Sequence, residues 1–129
     1  MYTMTFRLSE VLIPGVILMA LDFVYLYVSS SVSLPVYQRI QGSPVVFNYA
    51  AAAACYAVIL LGYYYFIIRE RRSPWEAFLL GVFVYGVYDM TTLAVFKQYT
   101  VGVALMDMLW GGILFGTTAL VYNRIREVL

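Results

Sequence analysis

Three aspartates, Asp22, Asp89 and Asp107, lie inside long apolar runs and are the residues of this chain most able to do chemistry. A carboxylate near the centre of a bilayer costs about 3 kcal/mol on insertion scales. It therefore faces the interior of a helical bundle, loses its charge or finds a partner. The other acidic residues lie at the ends of the runs or between them, at Glu10, Glu70, Glu76 and Glu127. The three aspartates thus predict an internal polar site.

Polar side chains recur at helical spacing around each aspartate. Those three or four positions away are Tyr25 after Asp22, Tyr85 and Thr92 around Asp89, and Trp110 after Asp107. Residues at this spacing share one face of a helix, so each aspartate has a hydrogen-bonding neighbour on its own helix. We therefore expect one layer of carboxyls, phenols, a hydroxyl and an indole.

The elements that carry these residues are four apolar runs, of about 20 residues each, as a membrane-spanning helix needs. They cover approximately 11–28, 45–68, 75–96 and 101–122. Backbone groups in lipid must be hydrogen-bonded within their own segment, and no two-residue alternation is visible, so the runs are predicted to be helices. The fold class is all-α, a four-helix transmembrane bundle in one domain, residues 1–129.

The depth of the aspartates can be counted along these helices. From one end of the bundle, Asp22 lies about 11 residues in, Asp89 about 14 and Asp107 about 15, so at 1.5 Å per residue their levels agree within about 6 Å. The connection 29–44, rich in Ser, Pro and Gly, is predicted to be a loop long enough to fold over the rim of the bundle. A cleaved signal peptide is the alternative for the first run, although Asp22 interrupts it.

Basic residues predict the orientation. Six of them, Arg7, Arg69, Arg71, Arg72, Arg124 and Arg126, fall on one side of the four runs, and only Arg39 and Lys97 fall on the other. Cytoplasmic loops carry the excess of Lys and Arg, so both termini are expected in the cytoplasm.

Composition removes several classes of function. The chain is 64% hydrophobic and 12% charged, which fits an integral membrane protein. Its net charge is only +1, so it lacks the strong positive potential that attracts nucleic acid. The single cysteine, Cys55, and the absence of histidine argue against thiol redox chemistry and zinc sites. No phosphate-binding loop or hydrolase motif is present, and we expect no cofactor.

Four segments of the chain resemble a family of small membrane proteins known as domain of unknown function 2177. They are LDFVYL at 21–26, GYYYF at 62–66, YDMTTLA at 88–94 and DMLWGG at 107–112. The resemblance implies the same order of four spans. It points to Asp22, Tyr88, Asp89, Thr91, Ala94, Asp107, Trp110 and Gly111 as matching positions. The chain departs from the family at Thr92, where the usual residue of the family looks like asparagine, and at Tyr25, where it looks like tryptophan.

The leading hypothesis is binding or transport of a small polar solute, a cation or a proton by this layer. Its ligand-binding residues would be Asp22, Asp89, Asp107, Tyr85, Tyr88, Thr92, Trp110 and Tyr25. A divalent metal would need further oxygen ligands, because hard cations take about six or more. The alternatives are a structural or accessory membrane subunit, with the aspartates joining helices, and a membrane enzyme acting on lipid or phosphate. A homo-oligomer is a further hypothesis, because four helices leave a narrow interior.

Overall fold

The structure, a computed structural model, describes residues 7–128. Four helices make up most of that range: α1 (Ser9–Gln41), α2 (Tyr49–Tyr63), α3 (Pro74–Val95) and α4 (Val101–Val128). A π-helical turn, Tyr64–Ile68, continues α2 without a break. All four, with this turn included, are long and apolar enough to cross a membrane. The predicted all-α fold of four spans is confirmed.

Helix α1 is much longer than predicted, and the expected loop at 29–44 was wrong for most of its length. The helix runs for 33 residues through the serine-rich segment and Pro35. Ser30 Oγ donates to the Tyr27 carbonyl at 2.7 Å, so this serine bonds within the helix. The helix ends only at Gly42, which has φ of 74° and donates its N–H to Gln38 O at 2.8 Å. A left-handed glycine is a common end to a helix.

Packing explains why the extension of α1, residues 29–41, stays helical. Val36 is buried in a small cluster with Tyr99, Val103 and Ala104, where α3 turns into α4. This contact outweighs the weak local preference of Ser and Pro for other conformations, as tertiary packing often does. The segment 29–41 therefore packs against the connection between α3 and α4 as a helix rather than as a loop.

Helices α3 and α4 form the closest pair in the described range, and glycines set their separation. A Cβ on Gly81 would lie 2.0 Å from the Gly111 carbonyl oxygen, and one on Gly112 would lie 2.7 Å from the Val82 side chain. Such distances leave no room for any larger residue, which is the usual role of small residues between membrane helices. This tight pair holds Asp89 and Asp107 opposite each other.

The main core lies at the end of the bundle that carries the six arginines, here called the arginine-rich end. It contains Leu18, Tyr63, Ile67, Ile68, Ala77, Leu114, Phe115, Ala119 and Tyr122. These residues come from the start of α1, the end of α2 with its π turn, the start of α3 and the end of α4. The cluster around Val36 and Tyr99 marks the opposite end. The aspartates lie between the two clusters.

Candidate functional site

Asp22 is a buried carboxyl whose two oxygens each accept a hydrogen bond from another helix. Its side chain lies on α1 and is 6% exposed. The Tyr56 hydroxyl of α2 donates to Oδ2 at 2.5 Å, and Trp110 Nε1 of α4 donates to Oδ1 at 3.0 Å. Three helices are therefore joined at one carboxyl. Both of its oxygens have a donor, as buried polar atoms usually do.

Asp89 is different, because it is buried completely and only one of its oxygens has a donor. The Tyr99 hydroxyl donates to Oδ1 at 2.5 Å. Within residues 7–128, Oδ2 has no hydrogen-bond partner. The carboxyl of Asp107 lies within hydrogen-bonding reach of Asp89. Two carboxyls face each other here, and neither supplies a proton to the other unless one is protonated.

Asp107 is half-buried on the second turn of α4 and receives a donor from α1. The Tyr25 hydroxyl donates to its Oδ1 at 3.0 Å. The ring of Tyr25 stacks on Trp110, with the ring centres 4.6 Å apart and the planes 4° from parallel. Since Trp110 also bonds Asp22, this aromatic pair connects Asp22 to the two facing carboxyls, here called the Asp89–Asp107 pair.

Tyr85 of α3 lies beside both parts of the layer. Its ring packs edge-on against Phe115, and its hydroxyl is near Asp22 and Asp107. The backbone of Gly111 passes under this ring, where a Cβ would come within 2.4 Å of Tyr85 Cγ. The absence of a side chain at Gly111 therefore leaves the space that the Tyr85 ring occupies.

Two tyrosines, Tyr99 and Tyr37, lie between Asp89 and the opposite end of the bundle. Tyr99, in the connection between α3 and α4, is only 3% exposed, and Tyr37 of the α1 extension packs beside it with ring centres 6.1 Å apart. The Tyr37 hydroxyl lies within hydrogen-bonding reach of both Tyr99 and Tyr88. Burial and the hydrogen bond to Asp89 raise the pKa of Tyr99 above that of a free tyrosine. Tyr99 therefore stays protonated and able to donate.

A comparison with known protein families places most of this chain in one of them. The sequence model of the family described as "Predicted membrane protein (DUF2177)" matches residues 8–123, which is nearly the whole chain. The chain belongs to this family. No curated protein and no solved structure matches the chain. This DUF2177 protein is thus a membrane protein with four candidate spans, and the lipid bilayer is its environment.

The structure brings most of the predicted site residues of this DUF2177 protein close together. Those in contact with an aspartate, or beside one, are Asp22, Asp89, Asp107, Tyr25, Tyr85 and Trp110. Tyr88 is 53% exposed, and its hydroxyl lies near that of Tyr37. The hydroxyl of Thr92 donates to the backbone carbonyl of Tyr88 at 2.8 Å, so it serves its own helix instead of the layer.

Three tyrosines that bond in this region were missing from the predicted set. Tyr56 lies in the second apolar run, which carries no aspartate, so helical spacing from an aspartate could not assign it. Tyr37 lies in the segment predicted to be a loop, and Tyr99 lies outside any apolar run, so helical spacing could not assign either. In the described residues, no three His, Cys, Asp or Glu side chains come together as a group that could hold a metal ion. The three aspartates thus form two separate arrangements: Asp22 with its two donors, and the Asp89–Asp107 pair.

Proposed function

We propose that this protein binds a proton or another small cation between Asp89 and Asp107 and carries it across the membrane. The observation that supports this most is the buried Oδ2 of Asp89, which lacks a donor in the described range and lies beside a second carboxyl. A buried acceptor without a partner costs about 1–3 kcal/mol, and more if it is charged. A bound cation would satisfy that oxygen.

The balance of donors and acceptors favours a binding site over a purely structural contact at the pair. Tyr99 and Tyr25 each give one hydroxyl proton to a carboxyl oxygen. The two carboxyls present more oxygens than these donors satisfy, and two neighbouring carboxylates repel each other unless a positive charge lies between them. A contact that only joined helices would have matched donors and acceptors, as Asp22 does.

The direction of access follows from the basic residues. We place the arginine-rich end in the cytoplasm, together with both termini, because six basic residues lie there against two at the opposite end. The Asp89–Asp107 pair then lies nearer the outer side, about 9 Å from the ends of α3 and α4 at 1.5 Å per residue. Accessibility labelling checks this: a tag near Gly42 should react from outside, and a tag after Leu129 should not.

The proposal is tested by the thermal unfolding of purified protein in lipid nanodiscs. Melting is followed across a pH series and with Na⁺, K⁺, Mg²⁺ and Ca²⁺ added in turn. A ligand that binds only the folded protein raises its melting temperature. The wild type should be stabilised by acid or by a cation, and Asp89→Asn and Asp107→Asn should each remove that response.

Asp22→Asn is the matched control, since it changes a buried carboxyl of the same layer that already has both donors. It should keep the pH or cation response even where it lowers the melting temperature. Loss of the response in Asp22→Asn to the same extent as in Asp89→Asn would contradict a site at the pair. A wild type insensitive to pH and to all four cations would contradict binding altogether.

A further inference from the structure

A groove lies between the π turn at the end of α2 and the first half of α3, on the surface that faces lipid. Helix α3 packs mainly on α4, and α2 packs mainly on α1, so a space remains between α2 and α3 although a short turn joins them. The groove has a volume of about 250 Å³. Most of its lining is apolar and comes from Phe66, Ile67, Leu79, Leu80 and Phe83. Phe66 and Phe83 are 56% and 62% exposed, so their rings are open to lipid chains.

The two charged residues that line the groove lie at the arginine-rich end. Arg72 precedes α3, and Glu76 is in its first turn. Phe83 follows Glu76 by seven residues, which places it about 10 Å deeper along the helix. Trp75, next to Glu76 in the chain, is 64% exposed, and tryptophans of membrane proteins are enriched at the level of the lipid headgroups. The groove therefore extends from the headgroup level into the hydrocarbon.

Arg72 and Glu76 place opposite charges side by side at this end, and both can take a further partner. Arg72 Nη1 lies 2.8 Å from Glu76 Oε2, and the two side chains are 53% and 45% exposed. Ion pairs this exposed add at most about 1 kcal/mol, so a new partner displaces them at little cost. Ser73 Oγ accepts from the Glu76 backbone N–H at 3.2 Å and donates to Oε1 at 3.3 Å. The Glu76 carboxylate is thus held at the start of α3.

A second ion pair in the same turn lies outside the groove. The Arg69 guanidinium lies over the Tyr65 ring, 3.7 Å from its centre, and Arg69 Nη2 is 2.9 Å from Glu70 Oε1. Neither Arg69 nor Glu70 is among the residues that line the groove. Two similar ion pairs therefore lie within a few residues of each other, and one of them borders the groove.

We propose that the groove binds one molecule of phosphatidylethanolamine. The phosphate would lie on Arg72 and the ammonium group on Glu76, with the start of one acyl chain along the apolar lining that ends at Phe83. A guanidinium binds phosphate through two parallel N–H groups, and a carboxylate accepts hydrogen bonds from an ammonium group. The site lies at the arginine-rich end, apart from the Asp89–Asp107 pair, so it does not depend on the function proposed above.

The charges of the groove favour this headgroup over two other common ones. The ammonium group of phosphatidylcholine is quaternary, so it has no N–H to donate to Glu76. Phosphatidylglycerol has no cation at all, and its net negative charge would lie beside the Glu76 carboxylate. Both can still place a phosphate on Arg72. Glu76 is therefore the residue that selects the headgroup, and Arg72 is the residue that holds any phospholipid.

The test is native mass spectrometry of the purified protein in detergent, titrated with phosphatidylethanolamine, phosphatidylcholine or phosphatidylglycerol that carry the same acyl chains. The wild type should bind phosphatidylethanolamine with a Kd about fivefold below that of the other two, the size expected of one exposed charge contact. Glu76→Gln keeps the shape of the side chain and removes its charge, so phosphatidylethanolamine and phosphatidylcholine should bind alike. Arg72→Gln should weaken the binding of both by a similar factor and keep the preference between them.

Glu70→Gln is the matched control, because it changes the net charge by the same amount and breaks the ion pair that lies outside the groove. It should keep the preference for phosphatidylethanolamine. A wild type that binds all three phospholipids equally would overturn the proposal. Equal loss of the preference in Glu70→Gln and Glu76→Gln would also overturn it, since the preference would then follow the overall charge of the turn and not the groove.

Discussion

Asp22 and the Asp89–Asp107 pair are carboxyls of one polar layer, but they differ in how many of their oxygens have a hydrogen-bond donor. At Asp22 each oxygen has its own donor, and the donors come from two other helices. At the pair, an oxygen of a completely buried carboxyl has no donor within residues 7–128, and another carboxyl lies within hydrogen-bonding reach of Asp89. Matched donors and acceptors stabilise a fold, whereas an excess of acceptors makes a place for a positive ion. One residue type thus serves two purposes within one bundle.

The largest expected effect comes from the contact between α3 and α4, because these two helices carry both carboxyls of the pair and α4 also carries Trp110, which donates to Asp22. Gly81→Ala would place a Cβ 2.0 Å from the Gly111 carbonyl oxygen, so the two helices must move apart. We expect a loss of about 3 kcal/mol of stability from this overpacking, measured by denaturant unfolding in mixed micelles, together with loss of any pH or cation response.

Gly102→Ala on α4 is the control for this substitution, since a Cβ there meets nothing within 4 Å. It should be neutral, or stabilising by up to about 1 kcal/mol, because alanine favours the helix more than glycine does. Equal effects at the two glycines would show that the helix contact does not hold the layer together.

A smaller effect is expected when asparagine replaces either Asp22 or Asp89, and these two variants compare the two regions directly. Asp22→Asn replaces a carboxyl oxygen that faces a donor with an amide N–H₂, so it should cost about 1–3 kcal/mol. Asp89→Asn instead gives the pair a donor that it lacks, and it should be neutral or stabilising at neutral pH without added cation. Asp22→Asn and Asp89→Asn should therefore change the melting temperature in opposite directions or by clearly unequal amounts. Two equal destabilisations would mean that all three aspartates are structural contacts.

The sequence predicts the layer but not its division. Asp22, Asp89 and Asp107 could be assigned because a carboxyl in an apolar run must turn inward, and Tyr25, Tyr85 and Trp110 followed from helical spacing. Which oxygen meets which donor depends on contacts between helices, such as Tyr56 with Asp22, and no spacing within one helix contains that information. The α1 extension was missed because its local composition favours a loop, and its helical form depends on packing against Tyr99 and Val103.

The smallest effect is expected at Thr92. Helical spacing assigned this residue to the polar layer, but in the structure its hydroxyl bonds to its own helix. Its hydroxyl donates to the carbonyl of Tyr88, four residues earlier on the same helix. Such a bond adds little to the fold, and it touches neither Asp89 nor Asp107. Thr92→Val keeps the shape of the side chain and removes the hydroxyl, so we expect a change in stability below about 0.5 kcal/mol, typical of a substitution away from a core contact. The pH or cation response of melting should match that of wild type, in contrast to Asp89→Asn on the same helix. A response that disappears in Thr92→Val would extend the pair to a third group on α3, and the distinction between Asp22 and the pair would then have to include that hydroxyl as a ligand.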